Sequence, residues 1–147
     1  MGTLLRHGSE AQKQRYLPRI ASGQLRLQAF GVSEPNCGTD TLGMETVARK
    51  EGDEYVITGT KLWTSRAQHS DLMLLLARTA GEGEARQRKH RLSAFLVDMR
   101  RAVLQEGALT ITPVETMINH STCQVCGDAY TDLSPFCLSV FLYSLAA

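Results

Sequence analysis

Between Leu25 and Val32 apolar and polar residues alternate, with Leu25, Leu27 and Ala29 on one side and Arg26 and Gln28 on the other. A period of two is the signature of a half-buried strand. "METVARK" and "EYVITGTKLW" continue the β pattern on either side of "EGD", a turn sequence, so residues 44 to 63 are predicted as a hairpin. "DLMLLLAR" (71–78) is a continuous apolar run of strand length, which calls for burial on both faces. "LSAFLVD" (92–98) and "LTITPVETM" (109–117) add two more strands, with Pro113 marking an edge or a bulge. Several short strands with no long helices between them predict a mainly β fold, an antiparallel barrel or sandwich.

Upstream of the first strand the period is helical. Ser9 and Gln12 have the spacing of a capping box, and "EAQKQRYL" is rich in helix formers. Tyr16, Leu17 and Ile20 form a narrow apolar stripe, Pro18 predicts a kink or a break, and Gly23 a stop. A short helical segment therefore precedes the barrel.

Composition narrows the function classes. The 147 residues suffice for one domain with a real core. A net charge of +1 supplies no field to recruit nucleic acid or anionic lipid. The local excess "ARQRKHR" (85–91) has no interleaved aromatic residues and reads as a solvated loop. Cys37, Cys123, Cys126 and Cys137 are irregularly spaced and no secretory signal opens the chain, which predicts a reducing compartment without structural disulfides. The apolar stretch 133–147 falls short of the ~20 residues of a membrane-spanning helix and contains Pro135.

Two polar clusters carry the candidate chemistry. "GVSEPNCGTD" (31–40) lacks the G-x-S-x-G elbow of a serine nucleophile and the G-x-x-x-x-G-K of a phosphate loop. Glu34, Cys37 and Asp40 match no common metal spacing. What remains is a Pro/Gly turn with two hydroxyls and free backbone N–H groups: a plain turn, or a loop that holds a polar ring edge or a phosphate. "KLWTSR" (61–66) holds the single Trp followed by Thr64 and Ser65, a core anchor or a cover for a flat ligand whose edge the hydroxyls bind. "CQVC" (123–126) is a lone C-x-x-C, weak as a redox or zinc motif. His120, beside Asn119, is a general-base candidate, although a single His more often satisfies a structural hydrogen bond. His7, His69 and His90 have no evident partner.

Taken together, "GSEAQKQRYLPRIASGQL", "AFGVSEPNCGTD", "GDEYVITGTKLWTSRAQHSDLMLLLART", "LSAFLVDM" and "LTITPVETMINHST" resemble the acyl-CoA dehydrogenase family in order and spacing, over roughly residues 8 to 125. The resemblance implies that residues 1–23 end an N-terminal helical domain, that 24–125 form the middle β-barrel domain, and that 126–147 are a divergent tail. It implies a flavoprotein oxidoreductase of fatty acid metabolism that uses FAD to introduce an α,β double bond into an acyl-CoA. In that scheme Phe30, Val32, Ser33, Gly38 and Thr39 lie along the flavin, Ser33 at its pyrimidine edge and Thr39 near its phosphate arm and the acyl-CoA. Trp63, Thr64 and Ser65 cover the opposite flavin face, Ser65 near the N5/O4 edge. Ser33 and Ser65 stand where the family more often has Thr, keeping a hydroxyl. The family's catalytic glutamate belongs to a C-terminal helical domain that has no counterpart in residues 1–147, so the resemblance names no catalytic residue and no metal here, and no turnover is expected from these residues alone. It further implies an acyl-CoA substrate, a homo-oligomer for full-length members, no nucleic acid, no membrane span, and residence in the cytoplasm or mitochondrial matrix. The alternative is a β-barrel remnant that binds no flavin and serves as an interaction module.

Overall fold

The structure, a computed structural model, describes residues 1–52, 54–80, 92–105, 108–118, 121–132 and 137–138. Helices α1 (Gly2–His7) and α2 (Glu10–Ala21) lead into strands β1 (Leu27–Gly31), β2 (Val47–Glu51), β3 (Glu54–Ser65), β4 (Leu72–Ala80), β5 (Leu92–Asp98), β6 (Leu109–Pro113), β7 (Thr122–Asp132) and β8 (Cys137–Leu138). The capping box forms as expected: Gln12 N donates to Ser9 Oγ at 3.2 Å and Ser9 N to Gln12 Oε1 at 2.8 Å. Helix α2 does not break at Pro18 but runs on to Ala21. Pro18 has no N–H to give to the Gln14 carbonyl, one bond lost from the helix ladder, while its own carbonyl accepts from Ser22 N at 3.0 Å.

The mainly β expectation holds, in the form of a curled half-barrel sheet. Its order is β6-β7-β3-β2-β4-β5-β8, with β1 added beside β4. The predicted hairpin is β2–β3, paired from Val47↔Thr58 to Glu51↔Glu54 and turned at Gly52, whose φ is +63°. Pro113 ends β6, which lies at the margin of the sheet order, where a missing N–H is tolerated.

Two pairings depart from the antiparallel pattern. Strand β1 runs parallel to β4 from Leu27↔Leu72 to Gly31↔Leu75, and β2 runs parallel to it from Val47↔Arg78 to Arg49↔Ala80. The two strands thus follow one edge of β4 in the same direction, one after the other. The chain leaves that line after Gly31 and rejoins it at Val47. Residues 32–46, which include the polar cluster of interest, are an excursion from an otherwise continuous strand path.

Strand β4 is buried on both faces, as its apolar run predicts. Met73, Leu75 and Ala77 join Ala29, Ala48, Ile57, Phe95, Val97 and Val125 inside the curl, where Tyr55 meets Phe95 edge-on at 5.2 Å between ring centres. Leu72 and Leu74 pack on the other face with Leu4, Tyr16, Leu25, Ala94 and Leu96, so the helices cover the outside of β4–β5. Each such large apolar side chain contributes about 1.5–3 kcal/mol on burial. Strand β7 carries the sheet on to Asp132, past the expected start of the divergent tail. The basic stretch 85–91, the Asn119–His120 pair and most of the tail lie outside the described residues. No described helix is long and apolar enough to cross a membrane.

The inner wall of the curl is closely fitted at Gly59. A Cβ there would lie 2.8 Å from Thr46 Cα, and the backbone φ is +156°. Gly59→Ala is expected to destabilise the chain by roughly 2–3 kcal/mol, whereas Gly38→Ala, which meets nothing within 4 Å, should change stability by less than about 0.5 kcal/mol. Urea unfolding of both variants checks the contrast, and equal effects would contradict it.

Candidate functional site

The excursion opens with a reversal built by its sequence. Glu34 N donates to Cys37 O at 2.7 Å and Cys37 N to Glu34 O at 3.2 Å, closing a turn over Pro35 and Asn36. Pro35 fits the second position of such a turn, where φ near −65° is needed. Cys37 is buried with Met44 and Leu92, and its Sγ donates to Asp40 O at 2.6 Å. Burial, with the charges of Glu34 and Asp40, pushes the Cys37 thiol above its ordinary value, so it stays protonated. Asp40 Oδ1 caps Leu42 N at 3.2 Å, and Arg78 Nη2 donates to the carbonyls of Leu42 (2.9 Å) and Met44 (2.6 Å). The loop is held at several points along its length.

Its strongest tie is an ion pair. Lys61 Nζ lies 2.7 Å from Glu34 Oε1, and the two side chains are only 2% and 4% exposed. The Glu34 carboxylate also accepts from Glu45 N at 2.6 Å and Thr46 N at 3.0 Å, while Lys61 Nζ donates a second time to Val32 O at 3.2 Å. Desolvation raises the Glu34 pKa, but Lys61 and the backbone donors outweigh it and hold the carboxyl below its ordinary 4.5. For Lys61 desolvation wins, and the ammonium falls below its ordinary 10.5 despite Glu34. Gly31 leaves room for the lysine stem: a Cβ there would stand 3.2 Å from Lys61 Cγ.

Just beyond Lys61, β3 changes face. The pairing with β7 passes from Lys61↔Val125 to Thr64↔Cys123, so Leu62 and Trp63 stand opposite Gln124 alone. This is a β-bulge, and Trp63 adopts φ +62°, a left-handed conformation that a bulky residue rarely takes. The bulge turns Trp63 out to 56% exposure and Thr64 in. Backbone strain of this kind persists only where surrounding structure enforces it, and it clusters at functional sites.

The excursion and the bulge meet through Leu62 N, which donates to Ser33 O at 2.8 Å. Of the residues singled out from sequence, Phe30 (58% exposed) and Trp63 face solvent, Ser33 is half-buried, and Ser65, Gly38 and Thr39 are exposed. Val32 is half-buried against the Cys37 cluster and offers its carbonyl to Lys61. Thr64 is buried, and its Oγ1 has no hydrogen-bond partner among the described residues. Phe30, Val32, Ser33, Trp63, Thr64 and Ser65 thus gather where β1 and the excursion run beside β3. Gly38 and Thr39 lie farther along the loop, beyond the turn.

Lys61 and its pairing with Glu34 are the site features that sequence reading missed. The signal was present: Ile57, Gly59 and Lys61 share the inward period of β3, and a lysine on an inward position needs a buried counter-charge. The C-x-x-C reading fails geometrically. Cys123 and Cys126 lie three apart on one strand, so they point to opposite faces; Cys126 Sγ instead accepts from Gln124 Nε2 at 3.2 Å. Among the described residues no cluster of three or more His, Cys, Asp or Glu is placed to hold a metal.

Comparison with known proteins gives a consistent picture. Residues 29–129 match the family model "Acyl-CoA dehydrogenase, middle domain", and residues 1–24 match "Acyl-CoA dehydrogenase, N-terminal domain". The chain is 38% identical over 120 residues to the acyl-CoA dehydrogenase FadE26 of Mycobacterium tuberculosis, a match covering 82% of this chain and 28% of that protein. Among solved structures, a steroid acyl-CoA dehydrogenase designated Tcur3481-Tcur3483 superposes with a TM-score of 0.80 at 30% identity, over 92% of this chain and 33% of that one. A glutaryl-CoA dehydrogenase of Mycobacterium smegmatis, in complex with FADH2, superposes with a TM-score of 0.75 at 26% identity, over 93% of this chain and 32% of that one. The chain therefore spans about a third or less of the length of these relatives.

The ion pair has a measurable pH signature. Because the folded state lowers the Glu34 pKa, its stabilisation is present above pH 4.5 and is lost as pH falls through the lowered folded value. The thermal midpoint should fall as the pH is taken below 4.5 through the lowered folded value, and Glu34→Gln should flatten that fall. An equally steep acid dependence in the variant would contradict this assignment.

Proposed function

The chain belongs to the acyl-CoA dehydrogenase family, and on that premise we propose that residues 24–125 are the FAD- and acyl-CoA-binding unit of an enzyme that α,β-dehydrogenates an acyl-CoA thioester. The observation that carries this reading is the bulge at Trp63, held beside the Ser33 loop by the Leu62 N–Ser33 O hydrogen bond. Between them the two segments present exposed aromatic rings and uncharged hydroxyls, the chemistry that suits a flat heterocycle with a polar edge. Behind the bulge the inward Thr64 hydroxyl is a buried polar atom without a partner among the described residues, one that a bound water would satisfy.

Flavin, when bound, supplies the two-electron acceptor for the reaction. In this reading Ser33 binds the pyrimidine edge, Trp63 covers the ring face with Thr64 behind it, and the Ser65 hydroxyl donates near N5/O4. Phe30, Val32 and Gly38 shape the loop along the ring, and Thr39 lies toward the phosphate arm and the acyl-CoA. Glu34 does not act as the base that removes the substrate proton: its carboxylate is committed to Lys61 and two backbone N–H groups in a closed site. We assign no catalytic residue within these 147 residues; proton removal falls to a carboxylate elsewhere in the complete enzyme.

Adding FAD to the purified chain should raise its thermal midpoint and quench the emission of Trp63, the single tryptophan. Ser65→Ala should weaken FAD binding about two- to tenfold, the weight of one neutral hydrogen bond. Absence of any FAD effect would favour the flavin-free interaction module, and unchanged affinity in the variant would remove Ser65 from the site.

A further inference from the structure

We propose that Glu34 and Lys61 are positioning residues for the ligand-facing edge, clamping the Ser33 loop and the Trp63 bulge in one fixed relation; the proposal rests on the flavin reading of that edge. Ser33 is straddled by the pair. Lys61 Nζ binds the carbonyl of Val32 on one side of it and the carboxylate of Glu34 on the other, at 3.2 and 2.7 Å. The Ser33 carbonyl itself is bound by Leu62 N, the residue after Lys61 and before Trp63. On its far side the same carboxylate holds the N–H groups of Glu45 and Thr46, where the excursion returns to the sheet. One buried carboxylate thus ties the exit, the return and the neighbouring strand of the excursion together.

Stability alone does not account for these charges. Removing two ions from water costs several kcal/mol each, and apolar residues of like volume commonly replace a buried pair without loss. Charged groups add direction: each hydrogen bond fixes a distance and an angle that packing of apolar groups leaves free. The placement of this pair, one residue from Ser33 and two from Trp63, gives that direction a use. The clamp holds two segments that the sheet does not otherwise lock, since the excursion lies off the strand path and the bulge interrupts the β3–β7 ladder.

The test uses the full 147-residue chain with Glu34→Gln, nearly identical in shape, and with the neutral double variant Glu34→Gln/Lys61→Met. Amide hydrogen exchange of the free chains reads the clamp directly. The amides of Glu45, Thr46 and Leu62 should exchange about tenfold faster or more, the weight of a hydrogen bond to a charged group, over and above any rise that Met73, Leu75 and Phe95 show through lost global stability. In the same samples FAD affinity, read from quenching of Trp63, should fall about tenfold. Unchanged exchange at the three amides, or an equal rise across β4 and β5 as expected of a merely structural pair, would overturn the proposal. So would full FAD affinity in a variant whose loop amides had been freed. If the parent chain takes up no FAD, the flavin reading fails while the exchange pattern still decides whether the pair clamps the loop. Glu34→Gln alone carries the test if the double variant does not fold.

Discussion

The path of residues 32–46 is pinned by one buried contact, the 2.7 Å pair between Glu34 and Lys61. Strands β1 and β2 share an edge of β4, and residues 32–46 must leave that line and return to it. A loop of this length has no ladder to fix its height above the sheet. The Glu34 carboxylate supplies the reference point, with Lys61 from β3 on one side and the returning backbone at Glu45 and Thr46 on the other. Removing one member would leave a buried charge unmatched, a loss of about 3–5 kcal/mol. The Pro35 turn, the Cys37 cluster and the Arg78 contacts then complete a loop whose path is already set.

Around that contact a close-packed wall stands behind an edge where local rules are broken. The β4–β5 core is packed with apolar residues on both faces, with the curl on one side and the two helices on the other. Such a wall resists deformation because close-packed interiors transmit strain rather than absorb it. The strained Trp63 conformation, the exposed Phe30 ring and the unpartnered Thr64 hydroxyl are all found at the margin where β3 meets the excursion. Local rules are broken there and are supported from behind.

Much of this was legible in the sequence, and the gaps have physical causes. Alternation and turn residues located the strands and the hairpin, and Ser9 with Gln12 located the start of α2. The parallel placement of β1 and β2 on β4 was not legible, because side-chain alternation reports which face is buried and says nothing of strand direction. Pro18 does not break α2, which runs through it to Ala21. The family resemblance pointed to Ser33 and Trp63–Ser65, and the structure brings these segments side by side. Lys61 stayed hidden because a charged residue in a strand reads as solvent-facing until its inward period is noticed. Glu34 was weighed as a metal ligand and set aside, when its partner was a lysine 27 positions along the chain.

The central claim is that the Ser33 loop and the Trp63 bulge form one face that receives the flavin. NMR of the isotopically labelled chain during FAD addition tests it most directly. The account predicts that shifts concentrate on the amides of residues 30–39 and 63–65 and on the Trp63 indole N–H, leaving the helix-covered face of β4 and β5 unmoved. Shifts centred on that opposite face, or none at all at saturating FAD, would contradict it.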